Sequence, residues 1–103
     1  MSSTTATVRD NTDASRFEAW LDGERAGFAD YRRTGDLAVY PHTEVAEGYE
    51  GRGVGSSLAR TALDDARERG LRVLAPCPFI SGWLERHPEY HDLAYRSSSR
   101  VTD

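Results

Sequence analysis

The chain contains no lysine; all 13 of its basic residues are arginine. That absence excludes a phosphate loop of the Gly-x-x-x-x-Gly-Lys-Ser/Thr type, a Schiff-base lysine and pyridoxal chemistry, each of which needs the amine. Cysteine is nearly absent too. With Cys77 alone, no internal disulfide can form and a thiolate-rich zinc site cannot be assembled. No apolar run approaches the roughly 20 residues of a membrane-spanning helix. The opening Met1-Ser2-Ser3-Thr4-Thr5 lacks the basic and apolar regions of a secretory signal, so a cytoplasmic location without a membrane partner is expected. Excess positive charge is also missing. Thirteen arginines against 17 acidic residues leave a net charge of −4, which speaks against nucleic acid as a partner and mildly favours a cationic one.

What is present fits one ordinary globular domain. At 103 residues the chain is long enough for a single core and too short for two, and 38% hydrophobic with 29% charged residues is unremarkable for a folded domain. The expected organisation is a frayed segment over residues 1–4, a domain over 5–96 and a polar tail over 97–103. Four strands are expected first. Thr5 to Asp10 is β-branched, Phe17 to Leu21 and Arg25 to Arg33 alternate around an Asp22-Gly23 hairpin, and Leu37 to Tyr40 runs on toward Val45. Phe17, Trp20, Phe28 and Tyr31 read as sheet core, and Arg32-Arg33 as a solvated turn.

After Val45 the pattern changes from a period of two to one of 3.6. Val54, Leu58, Ala62 and Ala66, with Ala59 and Leu63 beside them, make one apolar stripe, and Gly70 is the expected C-terminal cap. Leu71 to Ala75 is a fifth strand. A short helix over about Ile80 to Arg86 stops at Pro88, and Tyr90 to Tyr95 reads as a last short strand. The fold class is α+β: a mostly antiparallel sheet with a helical crossover between strands four and five.

The change of period falls in Gly51-Arg52-Gly53-Val54-Gly55-Ser56-Ser57, three glycines in five residues leading into the helix. Glycines let a backbone approach an anion, and a helix start offers unpaired N–H groups and the positive end of a dipole. A dinucleotide fingerprint fits poorly. Ser56 stands where its third glycine belongs, and Ala75-Pro76 supplies no acid for a ribose.

Glu50-Gly51-Arg52-Gly53-Val54-Gly55, Pro76-Cys77-Pro78-Phe79 and Leu84-Glu85-Arg86-His87-Pro88-Glu89-Tyr90 together resemble the GNAT superfamily of N-acetyltransferases, in particular its small single-domain, YjdJ-like branch. The resemblance runs over roughly residues 5 to 95. It implies a GNAT-like fold, acetyl-CoA as cofactor and an amine acceptor, whether protein, polyamine or small amine, with the chain acting as a monomer or weak dimer. It also implies cofactor contacts at Val45, Gly51, Arg52, Gly53, Val54, Gly55, Ser56, Pro78 and Phe79, and a catalytic role for His42 and Cys77. Glu50 stands where the superfamily pattern carries Gln or Arg, and Arg52 is the neighbouring source of positive charge.

The residues themselves leave alternatives open. His42 also reads as a solvated loop histidine and Cys77 as a small buried hydrophobe. Phe79, Trp83 and Tyr90 suit either a cofactor arm or helix packing. His87 and His91 have a metal-pair spacing, but Pro88 breaks the helix such a pair requires, so no metal is expected. The alternative to an enzyme is a non-enzymatic acyl-CoA-binding or protein-interaction module of the same fold.

Overall fold

A computed structural model describes residues 6–95; the expected frayed start (1–4) and polar tail (97–103) lie outside the described residues. Seven strands and two α-helices follow in the order β1 (Thr7–Asn11), β2 (Arg16–Leu21), β3 (Glu24–Asp30), β4 (Arg32–Thr34), β5 (Leu37–Val39), β6 (Thr43–Val45), α1 (Val54–Arg69), β7 (Arg72–Leu74) and α2 (Pro78–Arg86), ending in a 3-10 helix, Pro88–Leu93. Among the described residues no helix is long and apolar enough to cross a membrane.

The first strands form an antiparallel meander as the alternation predicts. Asp22 and Gly23 both take positive φ, the primed turn whose twist suits a two-residue hairpin, and β1, β2, β3 and β6 hydrogen-bond in that order. The expected fourth strand is not continuous. Pro41 has no N–H to give a ladder, and the chain changes partners across it. Before it, β5 lies between β4 and β7, parallel to β7 with Ala38 opposite Val73. Beyond it, β6 pairs with β3, Glu44 standing opposite Phe28. The expected strand Arg25 to Arg33 is interrupted in the same way at Tyr31, whose N–H bonds to the Ser15 carbonyl rather than to a sheet neighbour. Arg33, read as part of a solvated turn, lies in β4 and reaches Asp65 on α1 at 3.0 Å.

Helix α1 is the crossover between β5 and β7. Its stripe of Val54, Leu58, Ala59, Ala62, Leu63 and Ala66 is buried against the sheet, with Gly70 as a left-handed cap whose N–H satisfies the carbonyls of Ala66 and Arg67. Helix α2 starts two residues earlier than the apolar pattern suggests, with Pro78 at its first position, where a missing N–H costs nothing. The expected strand Tyr90 to Tyr95 is instead mostly 3-10 helix. Tyr90 and Leu93, three apart, are the buried residues of that segment, and a period of three belongs to that helix rather than to a strand. Only Ala94 makes a single parallel bridge, to Val73.

The three helical elements share one side of the sheet. Phe79 and Trp83 of α2 contact Gly55 and Ser56 of α1, and Tyr90 bonds to Asp64. Among the described residues, the opposite sheet face is covered only by its own side chains. Trp20 and Phe28, expected in the core, are half-buried there, Trp20 under the Arg9 guanidinium and Phe28 under those of Arg16 and Arg25. Phe17 and Tyr31 are buried as expected.

Gly27 marks the tightest backbone approach. A Cβ there would lie 2.6 Å from the Glu44 carbonyl oxygen and 3.1 Å from Val54, so β3, β6 and the start of α1 converge only on a glycine. Gly27→Ala is expected to lower stability by about 2 kcal/mol through overpacking against main chain that cannot yield. Urea unfolding checks this, and an unchanged midpoint would contradict the packing described.

Candidate functional site

The parting of β5–β6 from β7 shapes the site. Tyr40 is the last residue at which the two stay together: its N–H bonds to the Leu74 carbonyl and its carbonyl accepts from Cys77 N–H. Its buried hydroxyl donates to the Ala62 carbonyl at 2.7 Å, fixing the junction to the middle of α1, and burial pushes the phenol well above its ordinary pKa. Beyond Tyr40, β6 keeps only β3 as a neighbour. The His42 carbonyl and Ala46 N–H bond to Asp30 and Ala26 on β3, so the polar groups of Thr43 and Val45 turn to the other, unpaired edge.

The glycine stretch stands next to this edge. Gly53 takes a left-handed conformation at the helix cap and accepts the first helical bond from Ser57 N–H, leaving the N–H groups of Val54, Gly55 and Ser56 without helical partners. No acidic side chain occupies the first turn and no side chain caps it, so the positive end of a helix of 16 residues is unneutralised. Before it lies a depression of about 270 Å³ lined by Val45, Tyr49, Glu50, Gly51, Gly53, Val54, Gly55, Ser56 and Phe79. Gly55 lets the Phe79 ring lie close over the helix start. A Cβ there would come 2.6 Å from the tip of the Phe79 ring, which lies across the helix start.

Arg52 and Pro78 are outside this lining. The Arg52 guanidinium reaches Asp22 at 3.8 Å and stands over the Tyr49 ring, while Pro78 begins α2. Glu50 is at the rim, and its carboxylate accepts the Gly48 N–H at 3.0 Å. A larger depression of about 620 Å³ lies at the far end of α1, beside the 3-10 helix. Its arginines are already engaged, Arg67 with Asp92 and Arg72 with the Asp92 carbonyl, and it is remote from the glycines.

His42 and Cys77 flank the parting but have separate surroundings. His42 is exposed, its Nε2 lies 3.1 Å from Glu44 Oε1, and its ring packs at a tilt on Phe28. Cys77 is only 4% exposed and caps α2. Burial pushes its thiol up, but the Ile80 N–H, the Thr43 hydroxyl and the N–H groups of Phe79 and Thr43 together outweigh it and hold the pKa below the ordinary thiol value. The Thr43 oxygen is otherwise buried with no partner of full hydrogen-bonding geometry among the described residues, so the Cys77 sulfur is the group it faces.

Thr43 and Tyr49 are site-forming residues that sequence reasoning did not assign, whereas Trp83 was left between a cofactor arm and helix packing. Thr43 was hidden by the break at Pro41, and Tyr49 reaches the rim through a loop. Trp83 is 2% exposed in the packing of α2 on α1, and its indole N–H meets the Ser56 oxygen. The ring nitrogens of His87 and His91 face main-chain carbonyls, those of Trp83 and Glu85.

Known proteins resemble this chain in sequence and fold. A family model described as GCN5-related N-acetyl-transferase matches residues 16–93. Protein NATD1 of Bos taurus is 40% identical over 47 residues, 46% of this chain and 42% of that protein. Streptothricin acetyltransferase of Streptomyces lavendulae is 41% identical over 79 residues, 74% of this chain and 38% of that enzyme. The chain thus spans less than half the length of these curated relatives. Among solved structures, a GCN5-like protein from Staphylococcus aureus superposes with a TM-score of 0.67 at 24% identity, covering 97% of this chain and 96% of that one. Nourseothricin acetyltransferase superposes at 0.53 with 26% identity, covering 70% and 58%. The chain belongs to the GCN5-related N-acetyltransferase family.

Proposed function

We propose that the protein is an acetyl-CoA-dependent N-acetyltransferase. The observation that carries this is the unneutralised head of α1, which opens onto the same parting of strands that Cys77 and His42 flank. The residues fit the group. Three free N–H groups suit a pyrophosphate, and the unpaired edge of β6 offers Val45 main-chain groups to the amides of a pantetheine arm. Acetyl-CoA, when bound, supplies an acetyl group already activated as a thioester. One solved relative of this fold, an aminoglycoside N-acetyltransferase, is in complex with CoA.

The chain's own residues then have distinct tasks. His42, exposed and oriented by Glu44, takes the proton that an ammonium acceptor must lose before it attacks. Cys77, beneath a ring of donors at the head of α2, is the group suited to give a proton to a departing thiolate or to wall the pocket. With every helix among the described residues on one side, the acceptor side is a sheet face that these residues leave open, which suits an amine carried by a protein or polyamine. Burial of Cys77 and exposure of His42 without mutual contact are what favour the second reading, an acyl-CoA-binding module without turnover.

Thermal unfolding with CoA and acetyl-CoA, followed by thiol release across an amine panel, separates these readings. A raised Tm with both ligands and release with at least one amine is expected. Binding without release on any amine would favour the module, and no shift would exclude both. His42→Ala or Cys77→Ala is expected to reduce turnover by about a hundredfold, the usual scale of a lost proton-transfer group; full activity in both would remove these residues from catalysis.

Thr43→Val is expected to raise the Cys77 pKa. The folded value lies below the ordinary one, so thiolate appears at lower pH than in a free thiol, and loss of the hydroxyl moves that appearance upward. Thiolate absorbance, taken as the difference from Cys77→Ser, measures it; an unchanged midpoint would show that the hydroxyl does not support the thiolate.

A further inference from the structure

Trp83 meets the anion-facing end of α1 through a hydrogen bond whose direction is fixed by chemistry. Its Nε1 lies 3.1 Å from Ser56 Oγ. An indole N–H only donates, so the serine oxygen accepts and its own proton is directed elsewhere. Ser56 is the third residue of α1 and lines the depression before the helix. Its side chain makes no hydrogen bond back to the helix among the described residues, the alternative open to a helical serine.

The indole is itself held firmly. Its ring stacks on His87 at 3.6 Å and 13°, while His87 Nδ1 lies 2.7 Å from the Trp83 carbonyl oxygen. The Arg60 guanidinium stands 5.2 Å from the ring centre, and Tyr90 packs at a tilt. A donor clamped in this way fixes where the oxygen of the exposed Ser56 sits before any ligand arrives and excludes one direction for its proton.

We infer that Trp83 is a positioning residue for the anion site: its indole N–H holds the Ser56 oxygen so that the serine O–H points into the cradle as a fourth donor, beside the N–H groups of Val54, Gly55 and Ser56. This rests on the reading that the cradle takes the pyrophosphate of CoA. Trp83 touches no ligand and acts only through Ser56.

A double-mutant cycle on CoA affinity, measured by titration calorimetry on the full chain at a temperature where every variant is folded, tests it. Ser56→Ala is expected to weaken CoA binding roughly tenfold, the scale of one hydrogen bond to a charged group. Trp83→Phe, which removes only the N–H function and part of the ring, is expected to weaken it about threefold, because the serine is freed to rotate. The double variant is expected to bind no more weakly than Ser56→Ala alone. If Trp83→Phe costs the same factor with or without the serine hydroxyl, the tryptophan acts through packing and the inference is overturned. Failure of the unsubstituted protein to bind CoA would overturn the proposed function itself, a result distinct from additivity in the cycle.

The two indole N–H resonances supply a readout that does not require Trp83→Phe to fold. The Trp83 signal is expected to move on CoA addition and to lie elsewhere in Ser56→Ala. That of Trp20, whose Nε1 has no partner among the described residues, serves as the reference and is expected to stay. A Trp83 resonance that ignores both changes would contradict the inference.

Discussion

The exchange of strand partners at Tyr40 and Pro41 is the constraint on which the rest of the structure depends. Tyr40 binds β7 through its main chain and α1 through its hydroxyl, so the last point of strand contact is held against the crossover helix. Beyond Pro41, which has no N–H to give, the chain pairs with β3 instead of β7. The strands thus fall into two sheets with a gap between their ends. Into this gap open the head of α1, the free edge of β6 and the head of α2. The candidate site lies where the unpartnered N–H groups of the α1 head and the free edge of β6 meet, beside the head of α2, whose own N–H groups face Cys77.

The proposed anion site is compatible with a lysine-free, net-acidic chain. In that proposal the attraction comes from oriented N–H groups and not from basic side chains. Arg52, the nearest candidate cation, is turned to Asp22. The absence of an acid in the first turn of α1, and the Gly48 N–H that engages Glu50, keep negative charge from cancelling the helix end. Backbone donors are local and do not depend on overall charge, so a net charge of −4 and a polyanionic ligand are compatible. The same device operates at α2, where two main-chain N–H groups face the Cys77 sulfur and oppose the effect of burial.

The elements that repeat a pattern over many residues were legible in the sequence. The stripe from Val54 to Ala66, the Gly70 cap and the Asp22-Gly23 hairpin stand where periodicity and turn chemistry put them, and the glycine stretch does begin the helix. What was not legible depends on partners distant in sequence. Pro41 was visible, but that the chain would exchange β7 for β3 across it was not. The close approaches of Gly27 to Glu44 and of Gly55 to Phe79 are meetings of separate elements. Trp20 and Phe28 were misplaced because alternation identifies two faces without saying which one the helices cover. The Thr43–Cys77 and Ser56–Trp83 contacts span 34 and 27 positions, beyond the reach of any local pattern.

In the proposed function, backbone donors at the head of α1 and the unpaired edge of β6 form one continuous binding track. The most direct test is a titration with acetyl-CoA followed by the backbone amide resonances of the whole chain. The largest changes are expected on residues 51–56, on Thr43 and Val45, and on Cys77 to Ile80, saturating together with a single affinity. Changes concentrated instead around Arg67, Arg72 and Asp92 at the opposite end of α1, with the glycine stretch unmoved, would contradict it.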